Sequence, residues 1–101
     1  MTADQLEKSI RAKKSPAILD VRTAMEYNSG HVEGAFHAPM SKLFRVAKAE
    51  APTKNELLVL VCEHGPRAQL ALALLKMRGY KNLTLLDGHM SKWRASGRPL
   101  K

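Results

Sequence analysis

One cysteine in 101 residues excludes an internal disulfide, and with it the disulfide-stapled scaffolds common among secreted chains of this size. The same scarcity excludes a structural zinc site built on several thiolates. A lone thiol suits a reducing compartment, so a cytoplasmic setting is expected unless a signal or anchor was removed from a longer chain. No apolar run approaches the roughly 20 residues that cross a bilayer, and the opening MTADQLEKSI lacks the basic and apolar regions of a signal peptide. No membrane partner is expected of this chain. Aromatic residues make up only 5%, too few for a base-stacking platform. Acidic residues are also scarce: nine Asp and Glu stand against seventeen Lys and Arg, a formal charge of +8. The basic residues are spread from Lys8 to Lys101, with only Arg11, Lys13 and Lys14 close together. Nucleic acid is therefore not the expected partner. The charge reads first as a solvated basic surface, and beyond that as attraction for anionic small molecules or an acidic protein.

What is present is a mix of 45% hydrophobic and 26% charged residues, as in ordinary globular chains. The length suits one domain, residues 1–101, and is too short for two cores. Thr2-Ala3-Asp4-Gln5 is a capping box, and the helix it opens carries Leu6 and Ile10 on one face. Pro16 ends that helix. Ala17-Ile18-Leu19 reads as a buried strand ending at Asp20. Thr23-Ala24-Met25-Glu26 is a second capping box, for a short helix closed near Gly30. Ala35 to Ala38 is a weak strand candidate, and Ser41 is positioned to cap a helix across Leu43, Phe44, Val46 and Ala47. Leu57 to Val61 is apolar without alternation, as in a parallel strand covered on both faces. Arg67 to Arg78 reads as a helix, apolar nearly all round and so largely buried, stopped by Gly79. Leu83 to Leu86 is the next strand, and a last helix covers Gly88 to Ala95 with Trp93 as its anchor. Such βα alternation implies a three-layer α/β fold with a parallel sheet. Ligands in open parallel sheets sit beyond the C-terminal strand ends, here at Asp20, Cys62 and Asp87.

Cys62 follows the central strand directly, and Glu63-His64-Gly65-Pro66-Arg67-Ala68 carries the chain into the next helix. A strand, a tight loop and a helix N-terminus make a cradle of backbone N–H groups that favours anions. A thiol there is expected to have a lowered pKa and to exist partly as thiolate. Arg67 adds a permanent positive charge.

Four segments, in order and at suitable spacing, resemble the signatures of a single-domain rhodanese. They are Leu19-Asp20-Val21-Arg22 with Glu26-Tyr27; Gly30-His31-Val32-Glu33-Gly34-Ala35 with Pro39; the loop Cys62 to Arg67; and Leu86-Asp87-Gly88 with Trp93. The resemblance covers nearly the whole chain. It implies a three-layer fold with a parallel sheet of four to five strands flanked by helices. It implies a sulfurtransferase in which Cys62 takes the outer sulfur of a thiosulfate-like donor as a persulfide and passes it to cyanide, a thiol or a protein. Arg67 orders the loop and helps bind the anion, and the backbone from Glu63 through His64, Gly65, Pro66 and Ala68 surrounds it. No metal or organic cofactor is implied, and a monomer is expected. An alternative is a rhodanese-like protein-binding or sulfur-relay module with little activity on free thiosulfate. Dual-specificity phosphatases on this fold place five residues between Cys and Arg. Here four intervene, and the smaller ring favours sulfur over phosphate; an arsenate reductase is rated lower still.

Some residues depart from the family's pattern. Glu63 stands where a basic residue is common, and at the mouth of the cradle it is expected to repel an anionic donor. Pro66 removes one N–H donor. His89 stands where a second glycine often follows the first. The family's usual first edge strand has no counterpart before the first helix. Around the loop, Asp20 and Arg22 are expected to tie the strand end to neighbouring loops, with Glu26 as the partner of Arg22. His31 and His37 are read as structural. His64 either donates to a persulfide or faces solvent. Met25, Met40, Met77 and Met90 are read as core or rim fillers.

Overall fold

A computed structural model describes all of residues 1–101. The helices are α1 (Ala3–Arg11), α2 (Ala24–Asn28), α3 (Leu43–Glu50), α4 (Pro66–Met77) and α5 (His89–Ala95); the strands are β1 (Ala17–Asp20), β2 (Phe36–His37), β3 (Leu58–Val61) and β4 (Leu83–Leu85). A 3-10 turn at Met40–Lys42 leads into α3. The strands form one parallel sheet in the order β2-β1-β3-β4. Each strand returns to the same edge through a helix, so all C-terminal strand ends gather on one side, and Cys62 leaves from the middle of it.

Alternation along the strands divides the core in two. Leu58 and Leu60 of β3 and Leu19 of β1 pack with Leu43, Ala47, Ala68, Ala71 and Leu75 of α3 and α4. Val59, Val61 and Ile18 pack on the opposite face with Leu6, Met90 and Trp93 of α1 and α5. This is the three-layer α/β arrangement the βα alternation implies. The sheet has four strands, the lower of the two numbers expected. Met1 lies along the outer edge of β4, where its ammonium donates to the Leu85 carbonyl at 3.0 Å and its carbonyl accepts from the Asp87 N–H at 2.9 Å. No helix is long and apolar enough to cross a membrane.

Both capping boxes form, at Thr2 with Gln5 and at Thr23 with Glu26. Three expectations are corrected. Ser41 does not cap α3, which follows the 3-10 turn with no side-chain cap. The α4 helix is not largely buried: Ala68, Ala71 and Leu75 meet the core, while Leu70 is 54% and Met77 83% exposed. One strip of α4 suffices because α3 shares this face of the sheet. Met25 is likewise 83% exposed, so of the methionines read as fillers Met90 is fully buried while Met25 and Met77 are on the surface.

Candidate active site

β3 delivers Cys62 to the end of the sheet, and α4 begins four residues later with Pro66 at its first position. Pro66 suits that position, because its fixed φ is helical and the N–H it lacks has no helical acceptor there. Gly65 closes the loop at φ 131°, a region that favours glycine. Its N–H donates to Cys62 Sγ at 2.9 Å. The N–H groups of Glu63, His64, Arg67 and Ala68 have no acceptor within the protein. The Cys62 and Glu63 carbonyls are drawn the other way, accepting from the Met90 and Ser91 N–H groups of α5, each at 3.1 Å. The first turn of α5 thus holds the loop carbonyls and leaves its donors free for an anion. Cys62 itself is fully buried, with His64 and Pro66 as the exposed residues of the loop.

Charged side chains brace this loop from two sides. Arg22, 1% exposed, donates from Nε to Asp20 Oδ1 at 2.9 Å, and from one terminal nitrogen to Asp20 Oδ2 and to the Gly30 carbonyl, both at 2.8 Å. Its other terminal nitrogen reaches Glu63 Oε1 at 3.3 Å. Asp20 and Arg22 therefore do tie the strand end to its neighbours. Glu26, however, is not the partner of Arg22. It takes both terminal nitrogens of Arg67, at 2.6 and 2.9 Å, which joins α2 to α4. The fork of Arg67 is occupied by this carboxylate and not by loop carbonyls. Glu63 is also placed differently from expectation. Arg94 of α5 grips its carboxylate at 2.8 and 3.0 Å while Arg22 approaches from inside. The Arg94 hydrogen bonds, with the nearby Arg22 charge, hold the Glu63 carboxyl below the usual range. Its repulsion of an anionic donor is therefore offset by two cations.

The Arg67 hydrogen bonds hold Glu26 at a pKa of about 2, against an ordinary 4.5. Because the folded value is depressed, the pair's stabilisation is present above the ordinary value and is lost as pH falls through about 2. Both side chains are about one-third or more exposed, at 32% and 40%, so solvent limits that stabilisation to less than about 1 kcal/mol. A carboxyl-detected NMR titration should find the Glu26 midpoint near 2, and Arg67→Ala should return it toward 4.5 with little change in melting temperature. An unmoved midpoint would mean that Arg67 does not hold Glu26 in solution.

His31 stacks on Tyr27 with ring centroids 3.8 Å apart, and its Nδ1 is 2.9 Å from the Tyr27 carbonyl. His37 on β2 stacks on the same ring and binds the Arg22 carbonyl through Nε2 at 2.8 Å. His64 is exposed and makes no hydrogen bond to the protein. No three His, Cys, Asp or Glu side chains gather as metal ligands would. Two neighbours of the loop escape sequence reasoning: Arg94, on Glu63, and His89, whose Nδ1 accepts the Cys62 N–H at 3.2 Å. His89 carried one signal, a bulky residue where the resembled pattern has glycine. Arg94 carried none.

A parallel α/β domain with a cysteine loop between its central strand and a helix N-terminus defines the class. The model of the rhodanese-like domain family matches residues 2–96. The chain belongs to the rhodanese-like sulfurtransferase family. It is 33% identical over 94 residues to the thiosulfate sulfurtransferase GlpE of Shewanella oneidensis, an alignment covering 92% of this chain and 89% of that one. It is 25% identical to the putative sulfur carrier protein YrkF of Bacillus subtilis, covering 92% of this chain and 49% of the relative. Among solved structures, it superposes on a thiosulfate sulfurtransferase from Pseudomonas aeruginosa with a TM-score of 0.88 at 28% identity, over 99% of this chain and 19% of that one.

Proposed function

We propose that the chain is an enzyme that moves sulfane sulfur from an anionic donor such as thiosulfate to cyanide, a thiol or a protein acceptor, through a persulfide on Cys62. The observation that carries this reading is the Gly65 N–H on Cys62 Sγ at 2.9 Å, in a loop where the Glu63, His64, Arg67 and Ala68 amides are free. In the first half-reaction the Cys62 thiolate attacks the outer sulfur of thiosulfate. The donor's S–S bond breaks, sulfite leaves with its electron pair, and Cys62 becomes a persulfide. In the second, the acceptor's thiolate or cyanide carbon attacks the terminal sulfur and Cys62 leaves as thiolate. The loop amides stabilise the negative charge that moves one atom outward from Sγ. Arg67 adds a positive charge near the thiol and, through Glu26, holds the start of α4 in place. The protein acts as a monomer in the cytoplasm, without nucleic acid. Its test is the intact mass after incubation with thiosulfate and again after a thiol reductant: the mass of one sulfur atom should appear and then vanish. A second reading, a sulfur relay that accepts sulfur from a protein, is favoured by the likeness to a putative sulfur carrier. Loading by a protein persulfide but not by thiosulfate would establish it.

The offset charge of Glu63 makes a further prediction. Glu63→Gln frees the Arg94 guanidinium, whose side chain is 48% exposed at the loop. A unit charge about 6 Å from a dianion in a water-like dielectric is worth about 1.4 kcal/mol, and salt screening reduces that to an effect of roughly threefold. The KM for thiosulfate should fall by that factor at low salt and converge with the parent at high salt, with kcat unchanged. A neutral donor should show no gain. Equal KM values at low salt would place Arg94 away from the donor's path.

A further inference from the structure

We propose that His89 is a positioning residue for the Cys62 loop, its neutral ring accepting the Cys62 N–H at Nδ1 and bearing against Gly65 at its other edge. The kinetic consequence rests on the sulfurtransferase reading, but the geometry does not. His89 opens α5 at φ 51°, in the left-handed region, directly after Gly88 at φ 77°. A residue with a side chain is strained there by roughly 1 kcal/mol, which a glycine would avoid. The ring is nonetheless buried, with the residue only 6% exposed, and it is used at both edges. Nδ1 lies 3.2 Å from the Cys62 nitrogen. At the opposite edge, a Cβ on Gly65 would lie 3.3 Å from Nε2 and 3.4 Å from Cδ2, so the ring fills the space beside the glycine that donates to Sγ. One ring thus spans both ends of the arc that surrounds the thiol. The Met90 and Ser91 N–H groups fix the Cys62 and Glu63 carbonyls, while His89 fixes the Cys62 amide. Together they set the direction in which Sγ projects.

Accepting at Nδ1 requires a neutral ring with its proton on Nε2. Burial lowers the His89 pKa from its ordinary 6.5, His64 across the loop lowers it further, and Asp87 on the chain before α5 opposes them. Met1's ammonium lies 3.7 Å from Asp87, Lys92 packs over Gly88, and the Cys62 backbone N–H faces the ring from the loop. Because the folded value is depressed, the contribution of the neutral ring is present above 6.5 and is lost as pH falls through the lowered value. A protonated ring would set an N–H donor against the Cys62 N–H donor and release the loop.

Two substitutions separate this role from simple filling. His89→Asn keeps an acceptor at the reach of Nδ1, tolerates a left-handed backbone and does not titrate. His89→Gly suits the backbone and removes the acceptor. Loading of Cys62 by thiosulfate is followed by intact mass in single turnover between about pH 5 and 8, the range in which histidine titrates. At neutral pH, His89→Gly should load about tenfold slower than the parent and His89→Asn within about threefold of it. The ratio of the parent's rate to that of His89→Asn should fall on the acid side, the need for a thiolate being common to both proteins. Equal rates in His89→Gly and the parent, or an asparagine variant no faster than the glycine variant, would overturn the proposal. Independently, in the parent protein the Cys62 amide 15N–1H signal should titrate together with the His89 ring nitrogens. Independent titration of the two would also overturn it. If the parent takes up no sulfur at all, the sulfurtransferase reading fails, and the NMR result still decides the role of His89.

Discussion

Replacing Cys62 with serine is expected to leave a folded protein that takes up no sulfur. The side chains differ by one atom, and a serine hydroxyl accepts the Gly65 N–H as Sγ does. The site is fully buried and already carries a donor for that oxygen, so the stability cost should stay near about 1 kcal/mol. The chemistry is lost for a separate reason. A hydroxyl at neutral pH is a poor nucleophile toward sulfur, and no general base contacts Sγ to activate it. The parent should gain the mass of one sulfur atom from thiosulfate and release it to cyanide as thiocyanate. The serine variant should show neither, with turnover reduced by about a thousandfold or more. A serine variant that still transfers sulfur at the parent's rate would remove Cys62 from the mechanism.

The second large effect is on stability. Asp20 and Arg22 are each 1% exposed at the side chain, and the carboxylate accepts from Arg22 Nε, a terminal nitrogen and the Arg22 amide. Arg22→Met retains much of the volume but leaves a buried carboxylate without its cation and the Gly30 carbonyl without its donor. Breaking a buried pair from one side costs about 3–5 kcal/mol, because desolvation of the remaining charge is no longer offset. A domain of this size has only about 5–15 kcal/mol to lose. Urea unfolding should show the loss as a lower midpoint with an unchanged slope. The double variant Asp20→Asn with Arg22→Met should recover more than half of it, since an amide carries no charge to bury. A loss under about 1 kcal/mol in the single variant would mean that water reaches Asp20. The same substitution removes the inner partner of Glu63, so the loop should become more mobile beside Cys62.

The strands and the two capping boxes were legible because their determinants are local. Leu58 to Val61 is apolar at every position, as a strand covered on both faces must be, and it occupies the centre of the sheet. Thr23 and Glu26 are three residues apart, and the capping box they form needs nothing else in the chain. The burial of α4 was misread for a related reason. Composition shows that Leu70 and Met77 are apolar, but not that α4 fully buries only the strip of Ala68, Ala71 and Leu75 and leaves these two in solvent.

The sequence by itself determined the βα order, the central strand and the position of Cys62 at its end, because each follows from neighbours a few residues away. The charged pairing around that cysteine was decided by tertiary structure alone. Glu26 and Arg67 are 41 residues apart, as are Arg22 and Glu63; Glu63 and Arg94 are separated by 31, and Cys62 and His89 by 27. With seventeen Lys and Arg available to nine carboxylates, composition permits many pairings. Hydrogen bonds and ion pairs act over a few ångströms, so the choice among them belongs to the parallel strand order, which brings the ends of β1 and β3 side by side and the start of α5 beneath the loop.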